Sequence, residues 1–143
     1  MYNLSALSRN DIKKIEDYWV EIDEYRKKLQ YREWELLHKH RETDENIGGG
    51  KSNRTSDTTF VKATALVEDK KYNNLKSIVD GIDRLYRDLD KDSKTIVDMR
   101  YWDKENNFFE WEEIADQLFM SRNKVLRKRN ALIDKTAEVI GFV

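Results

Sequence analysis

The chain has 143 residues, a formal net charge of −1, and neither cysteine nor proline, which excludes disulfides and thiolate metal sites and removes the strongest helix breaker. Charged and hydrophobic residues each make up 38%, with 4 Trp, 7 Tyr and 5 Phe; so many aromatics argue against disorder and for a fold with a thin core. No apolar run approaches the roughly 18 residues of a membrane span, and MYNLSALSRNDIKKIE lacks a basic region followed by an apolar stretch, so a cytoplasmic protein without a secretory signal is expected.

The first element runs from about Asp11 to His40. Ile15, Tyr18, Ile22, Tyr25, Leu29 and Leu36 follow steps of three and four, a heptad seam broken once where Arg32 takes a core slot. Trp19, Trp34 and Leu37 widen the stripe, which predicts one long amphipathic helix. The stretch NIGGGKSNRTSD then breaks the pattern, because three consecutive glycines cost too much backbone entropy inside a helix. Residues 46–57 are expected to form a hinge. Its composition fits a flexible polar linker, with a phosphate contact through Lys51 and Arg54 as the alternative. Ser56 or Asp57 is the expected N-cap of the next helix.

That helix is predicted from about Thr58 to Leu89, with a second seam at Leu75, Ile78, Ile82, Leu85 and Leu89. The two seams meet either within one chain, as an antiparallel hairpin, or across a homodimer interface. Residues 1–89 thus form a helical scaffold or oligomerisation region, and residues 90–143 a second domain. The latter opens with a shorter helix, DKDSKTIVDMRYW, whose Ile96, Val97, Met99, Arg100 and Trp102 share one broad face, and continues through a polar turn, DKENN.

The last stretch, WEEIADQLFMSRNKVLRKRNAL from Trp111 to Leu132, carries the chemistry. A short helix ends near Leu118, three residues follow, and a basic helix runs on to about Val139. Two helices crossing steeply need a small residue at the closest approach, and Ala115 supplies it. Ile114, Leu118 and Val125 are spaced to close a small core, Leu132 and Ile133 extend it, and Ser121 stands where an N-cap belongs. With Val125 facing inward, Asn123, Arg127 and Asn130 point outward; Lys124 and Lys128 flank them on one side and Arg122 on the other. Arg129 points back toward the apolar stripe and is expected to snorkel.

This is the pattern of a DNA-reading helix-turn-helix. Outward residues near the start of the second helix meet base edges in the major groove, where Arg pairs with guanine and Asn with adenine. Flanking lysines meet phosphates, which position without specifying. The charge distribution agrees. Residues 90–120 hold nine acids against four bases, a balance of −5, whereas residues 121–143 hold six bases against two acids, a balance of +4. A neutral total therefore hides a basic end of the kind nucleic-acid binding requires.

Two other clusters have plainer explanations. The spacing in HKH, His38 and His40, puts the rings on different helix faces, whereas helical metal pairs use a spacing of four. Glu110, Glu112, Glu113 and Asp116 have no histidine or nucleophile beside them in the motif and fit the positive end of a helix dipole. No catalysis and no cofactor are expected.

Residues 90–132 resemble the fourth region of sigma factors, through IVDMRYW, then WEEIADQL, then SRNKVLRKR. Two positions depart from that pattern. Phe119 stands where a glycine is usual, which predicts a strained left-handed residue, and Glu110 replaces a Ser or Thr cap. Nearly the whole chain is similar to the RinA and ArpU-like late transcriptional regulators of phages of Gram-positive bacteria, in size, in the TDENIGGG hinge from Thr43 to Gly50, and in the sigma-like end. The resemblance implies an all-α, sequence-specific double-stranded DNA-binding activator of phage packaging and structural genes, acting in the bacterial cytoplasm. Ser121, Arg122, Asn123, Lys124, Arg127 and Lys128 then fall on the recognition helix, and outward-pointing Asn130 joins them as a candidate contact. Promoter DNA is the expected partner, with host RNA polymerase as a second, contacted through the acidic surface of residues 103–116. The competing functions are a helical protein–protein adaptor and a small-terminase-like packaging component.

Overall fold

A computed structural model describes residues 7–46, 54–105 and 108–142. Among these residues the fold is all-α. Its elements are α1 (Arg9–Val20), α2 (Ile22–Asn46), α3 (Arg54–Glu68), α4 (Lys70–Asp88), α5 (Lys91–Val97) running into a π-helical segment (Asp98–Trp102), α6 (Trp111–Gln117) and α7 (Arg122–Val139). No helix among the described residues is long and apolar enough to cross a membrane.

Each of the two long predicted helices is divided in two. Helicity lapses at Glu21, between α1 and α2, and at Asp69, between α3 and α4. Neither site carries Gly or Pro. At Asp69 the side chain supplies the reason, since its carboxylate accepts the Tyr72 N–H at 2.7 Å and so caps α4. The expected cap at Ser56 or Asp57 is not one, because α3 already begins at Arg54 and takes both residues into its first turn. Residues 47–53, with the glycine run, lie outside the described residues, as do Asn106 and Asn107 of the polar turn.

Packing groups the chain as residues 1–22 with 78–143 in one unit and residues 23–77 in another, whereas the sequence division fell at residue 89. The first unit carries most of the buried side chains among the described residues. Ile15, Trp19, Ile82, Ile96, Val97, Ile114, Val125, Ile133 and Thr136 are all under 2% exposed. Burying such side chains stabilises by roughly 1.5–3 kcal/mol each. α1 starts at a reciprocal cap, with Asp11 N–H donating to Ser8 Oγ at 3.1 Å and Ser8 N–H to the Asp11 carboxylate at 3.0 Å. Its Trp19 is then locked in place. The indole N–H donates to Thr136 Oγ1 of α7 at 3.0 Å, and that hydroxyl donates to the Leu132 carbonyl at 2.6 Å.

The π-helical segment brings two more aromatics onto α1. The Tyr101 hydroxyl donates to the Glu16 carboxylate at 2.5 Å, and the Trp102 indole donates to the Trp19 carbonyl at 2.8 Å. Burial, and then the Glu16 charge, push the Tyr101 phenol well above its ordinary pKa. Trp102 lies between Trp19, at 6.2 Å between ring centroids, and Tyr86 of α4, at 4.6 Å. Gly81 of α4 leaves room for the end of α7, for a Cβ there would come within 2.9 Å of Ile140 Cγ2 and 3.2 Å of Val139 Cγ1.

The second unit is built differently. Arg32 of α2, the residue that interrupts the first seam, forms a two-pronged ion pair with Asp69, Nε to Oδ2 at 3.0 Å and Nη2 to Oδ1 at 2.6 Å, and also pairs with Glu35. Asp69 is held below the usual carboxylate range, first by its bonds from Arg32 and then by the Tyr72 N–H. Leu75 is the one large apolar residue of this unit that is buried among the described residues; Tyr25, Leu29, Leu36 and Leu37 are half-buried.

Candidate nucleic-acid interface

The helix-turn-helix is assembled from α6 and α7 on a base supplied by α5. Ile96, Ile114, Ala115 and Val125 form its buried centre, with Met99, Phe109, Trp111, Leu118 and Met120 packed around them. Ala115 is 4% exposed at the crossing, and Leu132 and Ile133 continue the buried face of α7. α6 starts at Glu110, whose extended backbone N–H donates to the Glu113 carboxylate at 3.1 Å. Glu113 thereby takes up a donor at a helix start that lacks the usual hydroxyl cap.

The turn between the helices follows from its hydrogen bonds. Phe119 N–H donates to the Asp116 carbonyl at 3.3 Å and Met120 N–H to the Ala115 carbonyl at 3.1 Å. These are the two bonds of a Schellman C-terminus, which puts the residue after the cap in the left-handed region. That residue is Phe119, with φ of +56°, and its ring is 96% exposed. The left-handed backbone expected there is present. The same bond pattern closes α7, where Gly141 takes φ of +73°.

α7 begins at Ser121, whose hydroxyl accepts the Lys124 N–H at 3.1 Å. Ser121, Arg122, Asn123, Lys124 and Arg127 are exposed, so the first two turns of α7 present one cationic and amide-bearing surface. Arg122 stands 4.0 Å from Glu112 in an exposed pair that solvent screens.

The expected surface stops short of two residues. Lys128 turns toward α5, with Nζ 3.2 Å from the Asp90 carboxylate and only 28% of its side chain exposed. Asp90 is held below the usual carboxylate range by a bond from Ser93 and then by Lys128. Asn130 does not point outward: its Oδ1 is buried and meets no hydrogen-bond donor among the described residues. The reason is that α7 packs on α1 and α5 as well as on α6.

Arg129 points inward as expected, but it is gripped rather than snorkelling. Its guanidinium lies 5.4 Å from the Trp111 ring and 3.6 Å from Glu16. Arg100 lies over the same ring at 4.5 Å and donates to the Phe109 carbonyl at 3.1 Å. These contacts of Glu16, Arg100 and Arg129 have no signature in local spacing, because their partners come from three separate helices.

No group of three or more metal-ligating side chains occurs among the described residues. His38 Nδ1–H instead donates to the Trp34 carbonyl at 2.9 Å, with its ring 4.1 Å from the Trp34 ring; the side chain of His40 is outside the described residues. No curated protein and no solved structure matches the chain. The family described as "Protein of unknown function (DUF722)" matches residues 11–138, from within α1 almost to the end of α7, and the chain belongs to that family.

Proposed function

We propose that the protein is a sequence-specific double-stranded DNA-binding activator of transcription, of the kind that turns on late phage packaging and structural genes in the bacterial cytoplasm. One observation carries the reading: Arg122, Asn123, Lys124 and Arg127 are exposed on the first two turns of a helix whose inner face is fixed by buried Ile114, Ala115 and Val125. A recognition helix entering a major groove needs this arrangement, with base-reading side chains near its start and a rigid support behind. Arg127 and Asn123 are the base readers in this reading. Arg122 and Lys124 meet phosphates, and Lys128, tied to Asp90, has a supporting role. The similarity to RinA and ArpU-like regulators and to sigma region 4 points the same way.

The test is selection from a pool of randomised duplexes at fixed, near-physiological salt, with Arg127→Ala and Lys124→Ala beside the native chain. Arg127→Ala should cost about 1–3 kcal/mol on the selected site and relax the sequence at one position. Lys124→Ala should weaken all duplexes alike and reduce the salt dependence. Equal weak binding by all three proteins, with no recovered motif, would replace this reading with the protein–protein adaptor. Activation also requires polymerase, and exposed Glu112 and Glu113 on α6 are the proposed contact. If reversing both charges leaves activation intact, that contact is wrong.

A further inference from the structure

Exposed large apolar side chains are not spread evenly. Of the six among the described residues, Phe119 is in the turn of the helix-turn-helix, and the other five, Tyr31, Trp34, Phe60, Val61 and Val67, all belong to residues 23–77. Two regular stripes account for most of them. On α2, Tyr31, Trp34 and His38 follow steps of three and four and are already in contact, with centroids 5.9 Å apart for the first, stacked pair and 4.1 Å for the second, tilted pair. On α3, Phe60 and Val67 are a heptad apart, 72% and 73% exposed. Rings held by each other lose little freedom on binding, which suits them as anchors.

We propose that these two stripes are the surface through which a second copy of the chain docks, and that residues 23–77 are the dimerisation unit. Three arguments select a second copy over other occupants. First, the spacing: a heptad repeat is the period at which like helices interdigitate side chain by side chain. Second, the area: the exposed rings of Tyr31, Trp34 and Phe60 together with Val67 present on the order of 400 Å² of apolar surface, about half of the ~800 Å² that each partner contributes to a standard interface. Third, the charge: residues 23–77 hold twelve bases and ten acids, and α3 holds Arg54 and Lys62 against Asp57 and Glu68. A near-neutral helix does not repel its own copy, and it offers no field to capture a polyanion or a strongly charged protein.

The test is the mass of the full-length chain in solution, by light scattering and sedimentation over a range of concentrations and without DNA. The native chain should be a dimer. Phe60→Lys with Val67→Lys, and separately Trp34→Lys, should give monomers with unchanged helical circular dichroism. Phe119→Lys, an exposed ring outside the unit, should leave the dimer intact. Should a lysine variant lose helicity, Trp34→Ala with Phe60→Ala serves instead and should weaken self-association roughly tenfold or more. A native chain that is monomeric at every concentration overturns the proposal and makes a different protein the occupant of the stripes. A dimer that survives the Phe60, Val67 and Trp34 changes overturns it as well. Because DNA is absent, either failure leaves the DNA-reading proposal standing.

Discussion

Trp19 and Trp34 occupy the same predicted stripe, yet one is fully buried and the other is 51% exposed. Trp19 of α1 meets the Trp102 ring of the π-helical segment, and its indole N–H has a buried acceptor in Thr136 of α7. Around Trp34 the neighbours are Tyr31 and His38 of its own helix. An amphipathic pattern states that a face is to be covered; what covers it depends on the rest of the chain. In the unit of residues 1–22 and 78–143 the cover is internal. In residues 23–77 the chain leaves much of the face open.

The largest test of that contrast is a pair of truncations. Trp19→Ala should destabilise the first unit by about 3–5 kcal/mol, through lost burial and an unfilled cavity. Trp34→Ala should change the unfolding of that unit by no more than about 0.5 kcal/mol. Denaturant titration followed by far-ultraviolet circular dichroism, a signal both variants keep, reads both, and equal losses would break the comparison.

Next in size is Thr136→Val, which keeps the volume and removes the acceptor of the Trp19 indole. Leaving that buried donor unpaired should cost about 1–3 kcal/mol in the same titration. Smaller, and of opposite sign, is Phe119→Gly. The two Schellman ends differ only in having Phe119 or Gly141 at the left-handed position. Relief of the left-handed backbone at Phe119 should stabilise by about 1 kcal/mol or less, since glycine also frees the unfolded chain. A lower melting temperature would mean that the exposed ring has a partner within the chain.

The smallest effect concerns the second unit and pH. The carboxyl of Asp69 is depressed by Arg32, so its stabilisation is present above the ordinary carboxylate pKa and is lost as pH falls through the depressed value. Acid titration of helicity below about pH 4 should show a transition that Asp69→Asn removes, together with a lower melting temperature at neutral pH. An unchanged acid transition in Asp69→Asn would assign it to another group, with Asp90 the next candidate.

Much of this fold was legible from periodicity. The second seam is buried at Leu75, Ile78, Ile82 and Leu85, the helix-turn-helix core at Ile114, Ala115 and Val125, and the Ser121 cap is where local rules put it. Such features depend on neighbours within a few residues. The pairing of Asp69 with Arg32 was not legible, because the two residues are far apart in sequence. Lys128 and Asn130 misled for the same reason. A helical wheel drawn from Val125 knows of one packed face, whereas α7 is also packed on α1 and α5. A basic residue on a wheel and a basic residue free to meet a phosphate differ by an Asp90 that no local pattern reveals.

The bond from Trp19 to Thr136 spans 117 residues, and that separation bears on how the chain acquires its shape. A contact this long-range brings no reward until a large loop has closed, and such contacts slow folding. During synthesis α1 emerges well before α7, yet its tryptophan has no acceptor until α7 has left the ribosome. A nascent or truncated chain therefore carries an exposed apolar α1 and no braced α7. On this account α1 waits for α7, and the helix-turn-helix becomes rigid only once α7 has been made.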